Sequence, residues 1–392
     1  MANTITNLQP DIYEGLNMVS RELAGFPLAV ALNASAERAA LNQTIRYPIA
    51  PAGNVSDISP AMSVAEPTDQ TIGNDTMTIS KSRAAEFGFV GETQRGLNTG
   101  PGHRNVQAEM FAQGIRALVN EVESDLAAAA VAAASRAHGT AGTVPFATNT
   151  SDAAHLRKIL LDNGAPKSEI QLVVDTDTGA NIHTLFGVNS TRDQSQVPLR
   201  QQGVLVSPNG MDIRETAGFA THTAGTASSA TTNAAGYAVG AVTITLASAG
   251  TGTFVAGDVV TFAGDTEKYV LVSGDADTSN GGTIVLQEPG LRIALGAGAV
   301  AITVVKSGLV YNPAGVAFYR GAIQLVTRAP AMPEEQVPGK GPLIDMEVFT
   351  DSRSGLSFEV TVWGGQRKIR YDVALAWGWK VTQPRHTALL IR

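Results

Sequence analysis

The side chains best suited to chemistry are thinly scattered along this chain. Its six histidines, at positions 103, 138, 155, 183, 222 and 386, form no H-x-x-x-H or H-E-x-x-H pair, so their spacing gives no support to a zinc site. No serine lies in a G-x-S-x-G elbow, and no phosphate loop or dinucleotide fingerprint is present. With no cysteine, thiolate catalysis, disulfides and cysteine-based metal centres are excluded. The sequence predicts a protein that is not an enzyme and has no cofactor.

A few local patterns look like sites but have simpler explanations. Residues 175–179 resemble part of a calcium loop, yet the third acidic ligand and the closing Glu are missing, so we interpret them as a strand-to-helix turn. Residues 351–355 are likewise read as a turn. Lys81 could join an Asn of another copy in an isopeptide bond, but nothing in the sequence marks that Asn or an activating carboxylate. His138 is expected to interact with the carbonyl groups at the end of a helix.

Composition narrows the class of protein further. Charged residues make up only 16% of the 392 residues, glycine is abundant with 40, and the net charge of −7 argues against a general nucleic-acid binder. The apolar run at 23–32 follows Arg21 and imitates a signal peptide, but Glu22 and Pro27 argue against secretion. No run approaches the ~20 apolar residues of a membrane span, so we expect a soluble chain.

The N-terminal quarter of the chain has little core material of its own. In residues 1–44, Asp11 is predicted to cap a short helix with Ile12, Leu16, Val19 and Leu23 on one face. Residues 45–100 begin with scattered prolines, and residues 76–81 then alternate as a strand would. This stretch is either a floppy loop or a β-arm ordered by another subunit, and the sequence favours neither.

The strongest single pattern predicts a long helix over residues 101–138. Gly100-Pro101 suits its start and Gly139 its end, and at 1.5 Å per residue it would be about 55 Å long. A coiled coil is disfavoured because the strict heptad is absent, so we expect the helix to lie across a sheet. Its predicted apolar stripe is Val106, Met110, Ile115, Leu118, Val122 and Leu126, and its predicted polar face is Gln107, Gln113, Arg116, Asn120 and Glu123.

The rest of the chain alternates between two kinds of pattern. Residues 151–220 read as mixed α/β, with helices at 151–161 and 178–186 and strands at 170–174 and 204–206. Residues 221–307 are rich in Gly, Ala, Thr and Ser with five short β-branched runs, which suggests an inserted small β-barrel. A helical stretch is predicted from Asn312-Pro313 through Phe318, followed by Ala322 to Val326. Residues 343–382 predict an antiparallel meander that turns at Gly364-Gly365 and packs one face on the long helix.

Several segments carry a resemblance to a known family. They are residues 317–323 (AFYRGAI), 351–357 (DSRSGLS), 371–378 (YDVALAWG), Arg385, and residues 172–175 (LVVD) after a helix. Together with the order of elements, they resemble the major capsid (coat) protein of tailed bacteriophages with the HK-ninety-seven-type fold. More narrowly, they resemble the coat proteins of short-tailed phages whose central domain carries an inserted β-barrel.

The resemblance implies an α+β fold with an N-arm, an extended E-loop, a long spine helix, and peripheral and axial domains with an inserted barrel. The implied divisions are 1–44 for the N-terminal arm, 45–100 for the E-loop, 101–150 for the spine helix and peripheral domain, 151–220 for the first part of the axial domain, 221–307 for the barrel, 308–341 for the second part of the axial domain, and 342–392 for the peripheral strands and C-terminus.

The resemblance also implies a function and partners. Hexamers and pentamers of the chain would close into an icosahedral virion shell around double-stranded DNA, assembled in the host bacterial cytoplasm with a scaffolding protein, a portal protein and possible decoration proteins, without a membrane. Gly114 is a candidate weak point of the helix during maturation. The candidate inter-subunit contacts are Tyr47, Glu66, Lys81, Arg83, Arg353, Arg367 and Arg370.

The sequence leaves three other interpretations open. An encapsulin-like compartment would share the fold but enclose a cargo enzyme. A secreted β-rich surface protein would account for residues 221–307. An enzyme of unknown type has no constellation of residues to support it.

Overall fold

The computed structural model describes residues 25–49, 55, 60, 72–97, 103–189, 210–333, 338–339, 341–350 and 355–392. In this part the protein has many strands and few helices. The predicted arm helix at Asp11, the predicted strand at 204–206 and most of the predicted turn at 351–355 lie outside the described residues. The helices are α1 Phe26–Ala29, α2 Gly91–Leu97, α3 His103–Ala132, α4 Ser151–Asp162 and α5 Thr176–Asn189.

One sheet has six strands: β1 Ala31–Ala39, β4 Lys81–Val90, β16 Ile323–Pro330, β17 Leu343–Thr350, β18 Ser357–Gly365 and β19 Lys368–Val381. Their order is β1-β16-β19-β18-β17, with β4 also paired to β19. The 14-residue β19 pairs with β4 through Lys368–Trp377 and with β16 from Ala376 onward.

The predicted meander is confirmed, but its turn is not where we placed it. Gly364 and Gly365 are the last residues of β18, and the chain reverses at Gln366-Arg367, where Arg367 has a φ of 59°. Arg367 takes the left-handed turn conformation that we had assigned to a glycine pair. A side chain at Gly364 would be too close to β17 rather than in an unfavourable turn conformation, since a Cβ there would lie 2.8 Å from Ile344 Cδ1.

Helix α3 packs on β4 and β19 of this sheet, as the sequence predicted. Its buried side contains Phe111, Ile115, Val122 and Leu126, each fully buried, with the Phe111 ring 5.5 Å from that of Tyr371. Thirty residues make it about 45 Å long. In the described part of the chain no helix is long and apolar enough to span a membrane.

Two predictions about α3 were wrong in detail. The helix ends at Ala132 rather than at Gly139, because the next residues form the short strand β5 (Arg136–His138) in another sheet. Gln107 and Glu123, assigned to a polar face, are 6% and 4% exposed. Helical periodicity alone could not show this, since other parts of the chain pack around the helix at those positions.

Gly114 lies on the buried side of α3, facing β4 and β19 of the sheet. A Cβ at this position would be 3.2 Å from Ala85 Cβ on β4 and 3.8 Å from Val373 Cγ2 on β19. The glycine therefore permits close packing of helix on sheet. Its role as a weak point during a conformational change stays a prediction.

The other large sheet has ten strands: β5, β6 Ile170–Val174, β7 Met211–Glu215, β9 Thr243–Leu246, β10 Val259–Phe262, β11 Lys268–Ser273, β12 Gly282–Leu286, β13 Ile302–Val304, β15 Gly315–Tyr319 and β20 Thr387–Leu390. Their order is β13-β10-β11-β5-β20-β15-β6-β7, with β12 joining β11 to β9. Helices α4 and α5 flank this sheet, and both predicted helices and the strand at Ile170–Val174 are confirmed.

The helical stretch predicted from Asn312 through Phe318 and followed by 322–326 was wrong. These residues form β15, which lies between β20 and β6, and the start of β16 in the other sheet. Val316, Ala317 and Phe318 are fully buried. A short apolar run is typical of a strand covered on both faces, and periodicity cannot separate it from a buried helix.

The five β-branched runs within 221–307 are all strands, and they form a closed ring. The ladders run β13-β10-β11-β12-β9, and residues 231–232 close the ring by bridging Thr232 to Leu246 and Thr231 to Ala301. Ile244, Val260, Leu271 and Ile284 are buried in it. The chain enters and leaves this ring through a two-stranded neck of β8 (His222–Thr223) and β14 (Val310–Tyr311).

Candidate interaction surfaces

The extended hairpin, formed by β2 (Thr44–Ile49) and β3 (Gly73–Thr78), is paired only with itself among the described strands. Its register runs from Thr44 opposite Thr78 to Ile49 opposite Gly73. Along β3 only Met77 is buried. An isolated two-stranded ribbon is marginally stable in water, so the hairpin depends on contacts beyond its own two strands.

The base of the extended hairpin is fixed to the six-stranded sheet. Met77 and Ile79 are buried with Ala39, Val326 and Ala376. Ser80 N donates to Trp377 O over 3.0 Å. The backbones meet so closely at Gly378 that a Cβ there would lie 2.1 Å from Thr78 O. These contacts fix the base of the extended hairpin on the six-stranded sheet.

Lys81, the first residue of β4 after the hairpin, is held between two carboxylates of α3. Its Nζ lies 2.9 Å from Glu121 Oε1 and 2.9 Å from Asp125 Oδ1, and 5.8 Å from the Trp377 ring centroid. Asp125 also accepts a 3.0 Å hydrogen bond from Trp377 Nε1. Burial lowers the pKa of Lys81, but the hydrogen bonds and charges of the two carboxylates outweigh it and raise the pKa. Within the subunit, Lys81 therefore ties the hairpin base to the helix.

The other predicted contact residues lie in different environments. Arg83 Nε is 3.5 Å from Glu121 Oε1. Arg370 is half-exposed and forms ion pairs with Asp372 at 2.7 Å and Glu86 at 2.6 Å, and these carboxylates raise its pKa. Arg367 is exposed at its turn.

Three further contact predictions fall on or beyond the edge of the described residues. Tyr47 lies in β2 opposite Asp75, and its side chain is outside the described part. Glu66 and Arg353 are outside it altogether. Contacts between subunits at all seven candidate residues stay predictions.

A buried carboxyl joins three separate parts of the chain. Phe26 N donates to both oxygens of Glu123, at 3.1 and 3.0 Å, and the Thr216 hydroxyl also hydrogen-bonds to this carboxyl. A Cβ at Gly25 or Gly218 would lie 1.9 or 2.9 Å from the Glu123 side chain. Burial raises the pKa of Glu123, and the two hydrogen bonds only partly oppose this. Glu123 thus fixes the start of the described chain and the link after β7 to the middle of α3.

Arg136, only 1% exposed, connects the ring of strands to the rest of the ten-stranded sheet. Its guanidinium donates to Glu267 Oε2 at 3.0 Å, Asn163 Oδ1 at 3.0 Å and Ile159 O at 3.3 Å. β5, which carries Arg136, also pairs antiparallel with β11 of the ring. The ring is therefore continuous with the sheet beside it rather than attached only through its neck.

The neck of the ring is organised by a second buried carboxylate. Asp258 has no exposed surface and accepts from His222 Nε2 at 2.9 Å, Gly225 N at 3.0 Å and Val255 N at 2.8 Å. Across the neck, burial, together with the charge of Asp258, raises the pKa of Tyr311 to about 12. These contacts hold the entry and exit strands of the ring in one arrangement.

The residues considered for chemistry have structural partners. Asp175 Oδ1 accepts from Thr178 N at 2.9 Å, which confirms the strand-to-helix turn at 175–179. The predicted position of His138 at a helix end was wrong, because this residue lies in β5. Its ring stacks on that of His155 at 4.4 Å between centroids, and its Nε2 lies 3.2 Å from Asp152 Oδ1. Within the described ranges no group of three His, Asp or Glu side chains is placed to hold a metal ion.

Sequence reasoning missed Glu123, Arg136 and Asp258. Each is a charged side chain whose environment is built by segments distant in sequence, so local periodicity offers no sign of its burial. One weak signal was present: Arg136 follows an uncharged run at 126–135, where a lone charge needs an explanation.

Comparisons with known proteins give matches among solved structures. Models of known protein families give no match, and neither do the curated proteins. Among solved structures, the chain is similar to "Capsid structure of the Cyanophage P-SCSP1u", with 12% identity, 94% of this chain and 88% of that chain covered, and a TM-score of 0.44. It is also similar to "Asymmetric unit of bacteriophage PhiM1 mature capsid" (12% identity, 94% and 87% covered, TM-score 0.39) and "Crystal structure of virus-like particle from Pyrococcus furiosus" (8%, 98% and 100%, TM-score 0.42).

Proposed function

We propose that this chain is the major capsid protein of a tailed bacteriophage, a subunit that self-assembles into an icosahedral shell around double-stranded DNA. In this proposal its fold is of the HK-ninety-seven type. The extended hairpin is the E-loop, α3 is the spine helix, the six-stranded sheet is the peripheral domain, and the closed ring of strands is a barrel inserted into the axial domain. Scaffolding and portal proteins, and possible decoration proteins, are its partners, and assembly takes place in the host cytoplasm.

The observation that carries the proposal is the extended hairpin. It is anchored firmly at one end, by Met77, Ile79 and the close approach at Gly378, while the rest of its described length is largely exposed. Apolar side chains near it are also exposed, with Ile72 at 65% and Leu41 at 54%. A ribbon that is fixed at its base but not covered by its own subunit fits a role in binding a neighbouring copy.

The decisive experiment shortens the hairpin without disturbing its base. Ile49 and Gly73 are directly opposite each other, so residues 50–72 can be replaced by Asn-Gly, which suits a two-residue turn. We expect the full chain, expressed with its scaffolding protein, to form closed shells visible by electron microscopy. The shortened chain is expected to remain folded but to form none.

The controls separate folding from assembly. Thermal unfolding of the two subunits is expected to agree closely, because Met77, Ile79 and Lys81 keep their partners. Closed shells made by the shortened chain, or an isolated full chain that stays monomeric under all assembly conditions, would contradict the proposal. Nuclease-resistant double-stranded DNA inside shells from infected cells tests the cargo, since shells that hold only a protein cargo would indicate an encapsulin-like compartment.

A further inference from the structure

A groove of about 300 Å³ lies between the second half of α3 and the ring of strands. One wall is formed by Ala127, Ala128, Val131 and Ala132 of α3. The opposite wall consists of residues 220–222 beside the neck, residues 256–257 and residues 271–272 of β11. Apart from Thr221 and His222, the lining side chains are apolar or glycine.

The helix wall of this groove is unlike a face made for water. Residues 126–134 contain only Leu, Ala and Val, and Ala128 and Ala132 are nevertheless exposed in the described chain. Across the groove Val272 is 45% exposed, and Val255, next to the lining residue Ala256, is 41% exposed. A surface helix normally directs charged or polar side chains outward, so this uncharged face fits one that is covered by another segment.

The described chain begins beside α3, about one helical turn before the lining residue Ala127. Its first residue, Gly25, packs against Glu123, and Phe26 N is bonded to that carboxyl. Glu123 lies about one helical turn before Ala127 and two turns before Val131, on the same side of α3. The link at Thr216–Gly218 also meets Glu123 and continues directly into the opposite wall at Ala220. Both walls therefore lead away from the point where residues 1–24 join the described chain.

Those preceding residues have the right pattern to cover an apolar groove. Ile12, Leu16, Val19 and Leu23 recur at the spacing of one helical face, and Leu23 is two residues from Gly25. Twelve residues from 12 to 23 would span about 18 Å as a helix, and the lining of α3 from Ala127 to Ala132 extends over less than half of that. The segment is long enough to cover the groove from its junction end.

We propose that residues 12–23 of the same chain occupy this groove, with the apolar side chains at 16, 19 and 23 against the alanine face of α3. The contact would place the N-terminal segment over the joint between α3 and the ring of strands. It does not depend on whether the chain forms a shell, since the junction at Glu123 is made within one subunit.

Engineered cysteines test the proposal directly, because the chain has none of its own. The full-length Val19→Cys/Ala128→Cys double variant is expected to form an intrachain disulfide on mild oxidation, or to be bridged by a short bismaleimide, as seen by peptide mass spectrometry. The matched control is Val19→Cys/Gln113→Cys. Gln113 is exposed on the same helix but about 22 Å along it, so this pair is expected not to cross-link.

Co-expression of the two single variants shows whether the groove is filled by residues 12–23 of the same chain or by those of a neighbouring copy. Subunits carrying only Val19→Cys, mixed with subunits carrying only Ala128→Cys, are expected to give no chain-to-chain product. A dimer band would show that the segment of a neighbouring copy fills the groove and would overturn the proposal. Absence of a cross-link in both arrangements would overturn it as well.

Thiol labelling provides a second measurement that needs no particular disulfide geometry. In the Ala128→Cys single variant, removal of residues 2–22 is expected to raise the maleimide labelling rate several-fold. The rate at Gln113→Cys is expected to stay unchanged by the same truncation. Equal labelling rates at Ala128→Cys with and without the segment would contradict the proposal.

Discussion

At the scale of single residues, the buried charges of this protein connect its parts. Arg136 is the clearest case, because it lies in β5 and its almost completely buried guanidinium bonds to Ile159 O of α4 and to Glu267 beside β11 of the ring of strands. Removing one partner of a buried ion pair leaves the other charge without compensation, whereas a pair at the surface contributes little.

We predict that Arg136→Met lowers the free energy of unfolding by about 3 kcal/mol. Lys158→Met is the matched control, because Lys158 binds the same Glu267 at 3.3 Å but is 57% exposed. It is expected to cost less than about 1 kcal/mol. Denaturant unfolding of the dissociated subunit measures both, and equal costs for the two variants would show that Arg136 has no special role.

We predict that Glu123 makes the free energy of unfolding depend on pH with a sign that is unusual for a carboxyl group. Burial raises its pKa in the folded chain, so between the unfolded value of about 4.3 and the folded value the folded state binds more protons. Stability from this group is therefore present at low pH and is lost as the pH rises through the folded pKa. Relative to the wild type, Glu123→Gln is expected to become progressively more stable as the pH increases across this interval.

Asp152 is the control with the opposite sign. Its hydrogen bond with His138, together with one from Phe146 N, lowers its pKa in spite of partial burial. Its contribution is present above the unfolded pKa and is lost as the pH falls through the folded pKa. Asp152→Asn is therefore expected to become less stable than the wild type as the pH rises from strongly acidic values. Unfolding free energies of all three proteins over a pH series test both signs, and parallel profiles would refute them.

At the scale of elements, α3 and the six-stranded sheet form a closely packed pair. Gly114 permits the short distance between the helix and the sheet, since the Cβ of an alanine there would lie 3.2 Å from Ala85 Cβ. At an open helical site, Gly→Ala normally stabilises by about 1 kcal/mol. At Gly114 we expect the contact with β4 to cancel most of that gain.

A double-mutant cycle isolates this contact. Gly114→Ala is predicted to gain little in the wild type but about 1 kcal/mol in an Ala85→Gly background, a coupling of at least about 0.5 kcal/mol. Gly96→Ala in α2, where a Cβ would meet nothing within 4 Å, supplies the uncoupled control. If Gly114→Ala gains equally in both backgrounds, the glycine is a point of low helix propensity rather than of close packing.

The elements that could be predicted from the sequence are those whose signals are local. Val259–Phe262 and Gly282–Leu286 are β-branched runs with glycine beside them, and α4 has a clear apolar stripe ended by Asn163-Gly164. Gly315–Tyr319 was misread because its alanine and glycine content carries no period, and only burial between β6 and β20 makes it a strand. The closing segment at 231–232 has no strand signal, because its pairing comes from the ring as a whole.

In the interaction surfaces too, features with a local sequence signal could be predicted, and features made by distant residues could not. Only one strand of the extended hairpin was indicated, by the alternation at 76–81, and the sequence favoured neither a floppy loop nor a β-arm for residues 45–100. The intrachain partners of Lys81 could not, because Glu121 and Asp125 are 40 and 44 residues away and meet it only when α3 crosses the sheet. Lys81 has these partners within its own subunit, and its predicted contact with another subunit stays a prediction.

At the scale of the whole molecule, the ring of strands is attached to the rest of the subunit at two places. The neck holds its ends together, with Thr223 directly opposite Val310. The second attachment is lateral, through the β5–β11 ladder, Arg136 with Glu267, and Gln287 Nε2 donating to Ala132 O at 3.3 Å. A domain linked only by its neck could be removed without consequence, whereas one that shares a sheet could not.

Deleting the ring distinguishes these cases. Residues opposite each other in an antiparallel pair have Cα atoms about 5 Å apart, so Asn-Gly can replace residues 224–309. We predict that the shortened chain is less stable than the full chain by about 3 kcal/mol or more, because β5 loses a neighbouring strand and Arg136 loses Glu267.

The same deletion is expected to change the stability cost of the Arg136→Met substitution. In the full chain that substitution is costly, but in the shortened chain Glu267 is absent and most of the cost is expected to disappear. Denaturant unfolding of the four proteins completes the cycle. If the shortened chain were as stable as the full one and Arg136→Met cost the same in both, the ring would be a tethered module. A strong coupling would instead mean that the ring and the ten-stranded sheet fold as one body, so a force applied to the ring would act on the end of α3.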